Sequence, residues 1–310
     1  MKTVELLDVS VQIRRQCALR DISLACSEGE RIALFGPGGS GKTTLLRLLA
    51  GRISPTSGPV RLLQRPPRSV ASRIGYAAEA AGNSLFNASQ ILAKSLAAHD
   101  VPGYQRTARA TEALETLGVF EERERPVREL GSTDRSCVSL AAAIAHRPEV
   151  LLIDNITSFL PDETQARFWR FVDDRRAAEG LTVIHATTSE SEAEAADRVL
   201  ILDAGRALAR GTPRELQDAH GGETLMIEAA DPDAIRRTLR GMYDVVLEET
   251  ARGLRLSVPD AVPAVAHLFR HPSAGFRAVS ICRPGMWDVY RALRSEADTA
   301  SEERSGAPGK

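Results

Sequence analysis

The sequence predicts an α/β fold followed by a smaller α+β domain. Three observations carry this. The apolar run Arg31–Phe35 leads through the glycine-rich GPGGSGKTT into LLRLLAGR, an apolar pattern of helical spacing. The runs VLLID (Val150–Asp154) and LTVIHA (Leu181–Ala186) have the length and continuous apolarity of buried strands. Beyond Gly221-Gly222 the pattern changes to a βαββαβα order, which suits a small ferredoxin-like domain.

Taken in order, strand-like runs at Val4–Val11, Ile22–Ala25 and Arg31–Phe35 are punctuated by turn signals such as Ser27-Glu28-Gly29. From about Gln90 to Arg147 the apolar spacing is mostly helical, at Ile91–Ala98, Tyr104–Leu117 and Val138–Ala145. Strands at 199–203 and Ala207–Arg210 close the first unit, giving a domain over 1–220. The second domain, 222–294, reads as strand Thr224–Ala230, helix Pro232–Met242, strands Val245–Glu249 and Gly253–Val258, helix Ala261–Phe269, strand Phe276–Cys282 and helix Met286–Arg294. Residues 295–310 form a polar tail expected to be disordered.

The 310 residues suffice for one large or two modest domains. With 40 Lys+Arg against 41 Asp+Glu there is no global basic field, and no nucleic-acid partner is expected. No apolar run approaches the roughly 18–20 residues of a membrane span, and MKTVELLDVS lacks the apolar core of a signal peptide. The cysteines Cys17, Cys26, Cys137 and Cys282 have no CxxC spacing, which fits reduced thiols. Only four basic residues are lysine (Lys2, Lys42, Lys94 and Lys310), the rest arginine, and Lys42 sits in the most glycine-rich segment.

That segment, Gly36-Pro37-Gly38-Gly39-Ser40-Gly41-Lys42-Thr43, followed by Thr44, satisfies GxxxxGK[ST] without a mismatch. Its glycines permit a loop whose N–H groups turn inward toward the β- and γ-phosphates of a nucleotide. Lys42 supplies a compact positive charge, the Thr43 hydroxyl can join a Mg²⁺ shell, and the next helix adds its positive end. Asp154, closing an apolar strand, is of the type that holds the metal through water.

With these motifs in place, residues 3–216 resemble an ATP-binding cassette (ABC) ATPase, the motor subunit of ABC transporters. The likeness rests on ALRDISLACSEGERIALFGPGGSGKTTLLRLLAG, on RIGYAAE at the Q-loop position, on AIAHRPEVLLIDNITSFLP around Asp154, and on DRVLILDAGRALARGTPREL. The C-terminal stretch, ending RAVSICRPGMWDVYRAL, is similar to the appended domain of drug- and polysaccharide-export ATPases. The resemblance implies a P-loop NTPase of ABC type, with a mixed sheet and a helical subdomain. It implies ATP and Mg²⁺ as cofactors, with Thr43, Asp154 and Glu79 at the metal. The implied partners are a membrane permease and a second nucleotide-binding domain, in a homo- or heterodimer, on the cytoplasmic face of the cell membrane.

Several positions depart from the family pattern. Ile13 stands where an aromatic ring usually stacks on adenine, so poor discrimination between ATP and GTP is expected; Arg14 or Arg15 can stack instead. Glu79 replaces the Q-loop glutamine. The signature reads Leu130-Gly131-Ser132-Thr133-Asp134, with Ser132 or Thr133 as candidate caps and Asp134 badly placed for a partner's γ-phosphate. Asn155 replaces the glutamate that activates water, Pro161 replaces an aspartate, and Thr188 (or Thr187) takes the place of the switch histidine. An amide orients water without accepting its proton, so Asn155, Thr188 and Glu79 form a degenerate catalytic set and hydrolysis is expected to be weak or lost. The expected function is the ATP-binding subunit of an ABC export system; the alternative is a non-hydrolysing nucleotide-sensing regulatory or assembly subunit.

Other signals carry less. His267 and His271 have HxxxH spacing without a third ligand. Glu190, Glu192 and Glu194 read as a solvated acidic stretch. His185 and Trp287 read as packing residues.

Overall fold

The computed structural model describes residues 2–79, 84–220, 222–229, 231–239, 247–250, 253–258, 260–270 and 276–305. The expected strand and helix ends at Ala230, Met242 and Val245, together with Gly221 and His271, lie outside them.

The chain divides into two compact units between Arg210 and Gly211. In the first, β1 (Lys2–Ile13) pairs antiparallel with β2 (Gln16–Ser27) and with β4 (Val60–Leu62), giving a three-stranded sheet. A six-stranded sheet has the order β5-β6-β7-β3-β8-β9. Its strands are β3 (Arg31–Phe35), β5 (Ile74–Ala78), β6 (Val150–Asp154), β7 (Thr182–Thr187), β8 (Arg198–Asp203) and β9 (Arg206–Gly211). Pairing is parallel from β5 through β8. The central strand β3 is buried along its whole length, which explains why its sequence reads as continuous apolarity rather than alternation. Helix α1 (Lys42–Leu49) buries Leu45, Leu46, Leu48 and Leu49 between the two sheets.

The opposite face of the large sheet carries α2 (Ala88–Ala98), α3 (Gly103–Thr116), α4 (Ser132–Ile144) and α5 (Asp162–Glu179). Asn87 and Gln90 close a reciprocal capping box at the start of α2. Helix α5 has little apolar periodicity and buries Phe168 and Val172; Gly180, in the left-handed region at φ 70°, ends it. The short α6 (Glu190–Glu194) precedes β8.

In the second unit, β10 (Glu223–Ala229), β11 (Leu247–Thr250), β12 (Gly253–Val258) and β13 (Phe276–Cys282) form an antiparallel sheet of order β11-β12-β10-β13. Helices α8 (Pro232–Leu239) and α9 (Ala261–Arg270) connect them, with Leu225, Ile227, Ile235, Leu254, Leu256 and Leu268 as the core. The order βαββαβ with these pairings is a split βαβ arrangement. Helix α7 (Pro213–His220) belongs to this unit: it packs on α10 (Met286–Ser305), and Gln217 Nε2 donates to Pro284 O at 2.8 Å. The division therefore falls some ten residues ahead of Gly221-Gly222. The expectation of a disordered tail from 295 is corrected: α10 continues to Ser305. Asp288, near the start of α10, is 1% exposed and is bonded by Arg255, Arg291 and the Gly285 N–H. Trp287 packs edge-on to Tyr290, and among the described residues no His/Cys/Asp/Glu cluster suits a metal.

Candidate functional site

The parallel register aligns the carboxyl ends of four strands. Phe35 lies opposite Thr187, Asp154 opposite Ala186, and Ala78 opposite Asp154. In open α/β sheets, ligands bind in the crevice outside these ends. An open cleft of about 1350 Å³ occupies that place, lined by Gly38, Gly39, Ser40, Gly41, Lys42, Thr43 and Thr44, by Asp154, Asn155 and Thr188, and by the Ile13–Ala18 hairpin.

Backbone geometry explains the loop's glycines. Gly36 has φ 147°, and a side chain there would meet Leu202 O at 2.1 Å; Gly41 (φ 106°) is closed in by Leu19 and Ala18. Gly38 and Gly39 face open space. The Lys42 ammonium is buried and donates to Gly36 O at 2.6 Å, Pro37 O at 2.7 Å and Ser40 Oγ at 3.3 Å. Burial lowers its pKa from the ordinary lysine value, and the Asp154 carboxylate opposes that shift. Thr43 Oγ1 donates to Asp154 Oδ1 at 2.8 Å, while Tyr76 OH donates to Asp154 Oδ2 at 3.2 Å. Burial, and then the Asp154 charge, raise the Tyr76 pKa. A hydroxyl, a carboxylate and an open cradle of N–H groups fit a triphosphate with Mg²⁺, which takes hard oxygen ligands and keeps its remaining waters. Thr43 and Asp154 would hold the Mg²⁺, which would supply positive charge to neutralise that of the phosphates.

Of the residues expected at the site, Gly36 and Pro37 sit behind it and receive Lys42. Glu79, expected at the metal, follows β5 as an exposed residue outside the cleft lining, because the strand has already reached its end at Ala78. Asn155 lines the cleft with φ 54°; its N–H donates to Ala186 O at 3.2 Å, and its buried Oδ1 has no hydrogen-bond partner among the described residues. Thr188 lines the cleft, whereas Thr187 is fully buried and bonded to Glu192. His185 is a core residue, stacked edge-on to Trp169 and bonded by Arg31 Nε at 3.3 Å; burial holds its pKa well below the ordinary value. Neither Ser132 nor Thr133 caps α4: Gly131 holds the N-cap position without a side-chain bond, and Asp134 lies in the first turn. Pro161 occupies the N-cap of α5.

The sequence reading missed Glu192. It is 4% exposed rather than solvated, and its carboxyl accepts from Thr187 Oγ1 (2.5 Å), Ser158 Oγ (3.0 Å) and Gln165 Nε2 (2.9 Å). Its only signal was Ser189, the N-cap of α6, whose turn draws Glu192 inward. A second cavity, of about 390 Å³, lies between the sheet and the helices, lined in part by Arg52, Tyr76, Ser95, His99, Ser139 and His146. There His99 and His146 stack with ring centroids 3.8 Å apart.

A family model described as "ABC transporter" matches residues 19–158. The cobalt import ATP-binding protein CbiO of Rhodobacter capsulatus is 35% identical over 204 residues, 63% of this chain and 72% of that protein. The daunorubicin resistance ATP-binding protein DrrA2 of Streptomyces coeruleorubidus is 29% identical over 304 residues, 94% of each. A solved dimeric ATP-binding cassette with ADP and Pi superposes with a TM-score of 0.62 over 67% of this chain and 98% of its own, at 22% identity, which speaks for the fold. The P-loop cradle, the Asp154–Thr43 pair at the strand ends and these likenesses agree: the chain belongs to the ATP-binding protein family of ABC transporters.

Proposed function

We propose that this chain is the nucleotide-binding subunit of an export system, in which nucleotide binding drives closure and hydrolysis is slow. The observation that carries the proposal is Asn155, which lines the cleft next to Asp154 where a general base would stand. An amide in that place forgoes a contribution of about 10²–10⁴-fold, and Thr188 supplies no imidazole to assist. The export direction is supported by DrrA2, whose likeness spans both units, whereas that of CbiO spans 63% of this chain.

The chain works as a peripheral subunit on the cytoplasmic face of the membrane, beneath a separate permease. Among the described residues no helix is long and apolar enough to cross a bilayer. The permease docks in the second cavity, whose Arg52, Tyr76, His99 and His146 mix cationic, aromatic and hydrogen-bonding groups. Two nucleotide-binding domains, identical or not, close over the cleft. The same Asn155 and Thr188 also favour the reading of a non-hydrolysing regulatory subunit.

Phosphate release by the purified protein, alone and with its permease, tests the proposal. Binding with turnover well below about 1 s⁻¹ in both cases supports it. Turnover above that rate, abolished by Lys42→Ala, overturns the slow-hydrolysis reading. A permease that never co-purifies favours the regulatory one.

A further inference from the structure

One part of the cleft that holds the phosphate loop is formed by a cationic hairpin. Ile13 and Gln16 pair across the turn between β1 and β2, leaving Arg14 and Arg15 as a two-residue loop, with Arg14 in the left-handed region at φ 56°. Ile13, Arg14, Arg15, Gln16, Cys17 and Arg20 all line the same cleft as the phosphate loop. None of these is aromatic, so the hairpin offers no ring on which a purine could stack. The Arg14, Arg15 and Arg20 side chains are exposed, and their guanidiniums have no ion-pair or hydrogen-bond partner among the described residues. Their donors are therefore available to a ligand.

A guanidinium is a fork of N–H donors with no acceptor. Guanine presents two acceptors side by side, O6 and N7, and matches that fork bidentately; adenine presents N7 beside the N6 amino donor, which arginine cannot accept. The Gln16 amide carries both a donor and an acceptor, so it serves either base and does not decide between them. We infer that Arg14 and Arg15 read the O6/N7 edge of the base, so that this cleft takes guanine nucleotides in preference to adenine nucleotides. The inference rests on the nucleotide-binding reading above and gives that site a base specificity. The preference is modest because the hairpin is open to water, which competes for the same donors.

Calorimetric titration of the full chain with the Mg²⁺ complexes of the imido analogues of GTP, ATP and ITP tests this. The expected result is GTP analogue binding about fivefold tighter than ATP analogue, the low end for a bidentate arginine–guanine contact. Hypoxanthine keeps O6 and N7 but lacks the 2-amino group, so the ITP analogue should bind within about twofold of the GTP analogue. In Arg14→Gln/Arg15→Gln the preference should fall to parity or reverse, since a glutamine amide pairs with adenine N6 and N7. The ATP analogue binding as tightly as the GTP analogue or tighter, the ITP analogue grouping with ATP, or an unchanged preference in the double variant would each overturn the base assignment while leaving nucleotide binding intact. Absence of binding by all three would overturn the nucleotide-binding reading together with it.

Discussion

Lys42 holds its ammonium against the Gly36 and Pro37 carbonyls, and in the proposed function a triphosphate would bind by exchanging those acceptors for phosphate oxygens. Charge-assisted contacts of this kind contribute about 1.5–3 kcal/mol, and Lys42→Ala should weaken Mg-nucleotide binding by about tenfold or more in a fluorescence titration. Asn155→Glu should raise phosphate release by less than about tenfold, far short of a general base's usual worth, because Thr188 and Asp134 remain as they are. A different residue sets an acid limit. Burial and then His99 lower the His146 pKa to about 4, so its neutral form is favoured in the folded state. Its stabilisation is complete above the unfolded value of about 6.5, fades as pH falls between there and about 4, and amounts to about 3 kcal/mol. Urea denaturation from pH 7 to pH 4 should show a shallower loss of stability in His146→Gln; parallel curves would refute this. The phosphate loop was legible because its chemistry needs glycines at fixed spacing. Glu192 was not, because two of its three donors, Ser158 and Gln165, stand 34 and 27 residues away in sequence.

Elements with continuous apolar runs were read readily, and polar ones less so. Strands β3 and β7 are buried throughout, and β6 up to the half-buried Asp154 at its end, and their sequences say so. Helix α5 shows few apolar positions because only Phe168 and Val172 are fully covered, and it went unread. The extension of α10 to Ser305 has a related cause. Polar residues cannot found a helix easily, but extending one that packing has already nucleated needs only one more hydrogen bond per residue. Asp288 anchors that helix through two arginines and the Gly285 N–H. Asp288→Ala would break the buried ion pair with Arg255 and remove the acceptor of the Gly285 N–H. Breaking such a pair costs about 3–5 kcal/mol, to be read as an early melting transition of the second unit, with nucleotide binding unchanged.

At the scale of the whole molecule, the succession of strands and helices along the chain is partly legible from the alternation of periods, while the order of strands within each sheet and the dividing point of the units rest on pairings between distant segments. Gly221-Gly222 marks a change in composition, yet α7 carries its hydrogen bond to Pro284. A truncation ending at Arg210 should therefore remain soluble and bind Mg-nucleotide, and one ending at Gly221 should be less soluble because it exposes the face of α7 that α10 covers. Equal solubility of the two by sedimentation would argue against the division. Within the first unit, Glu192 joins three stretches that meet nowhere else in sequence: Thr187 at the end of β7, Ser158 beyond β6, and Gln165 on α5. A carboxyl shared among three donors makes their substitutions epistatic. Thr187→Val, Ser158→Ala and Gln165→Ala would each loosen the same acceptor, so any two together should cost measurably less or more than their sum, and all three should become nearly silent once Glu192 is itself replaced. Inheritance at these four sites is thus correlated by one side chain, and a descendant of this protein that loses Glu192 is free to drift at the other three.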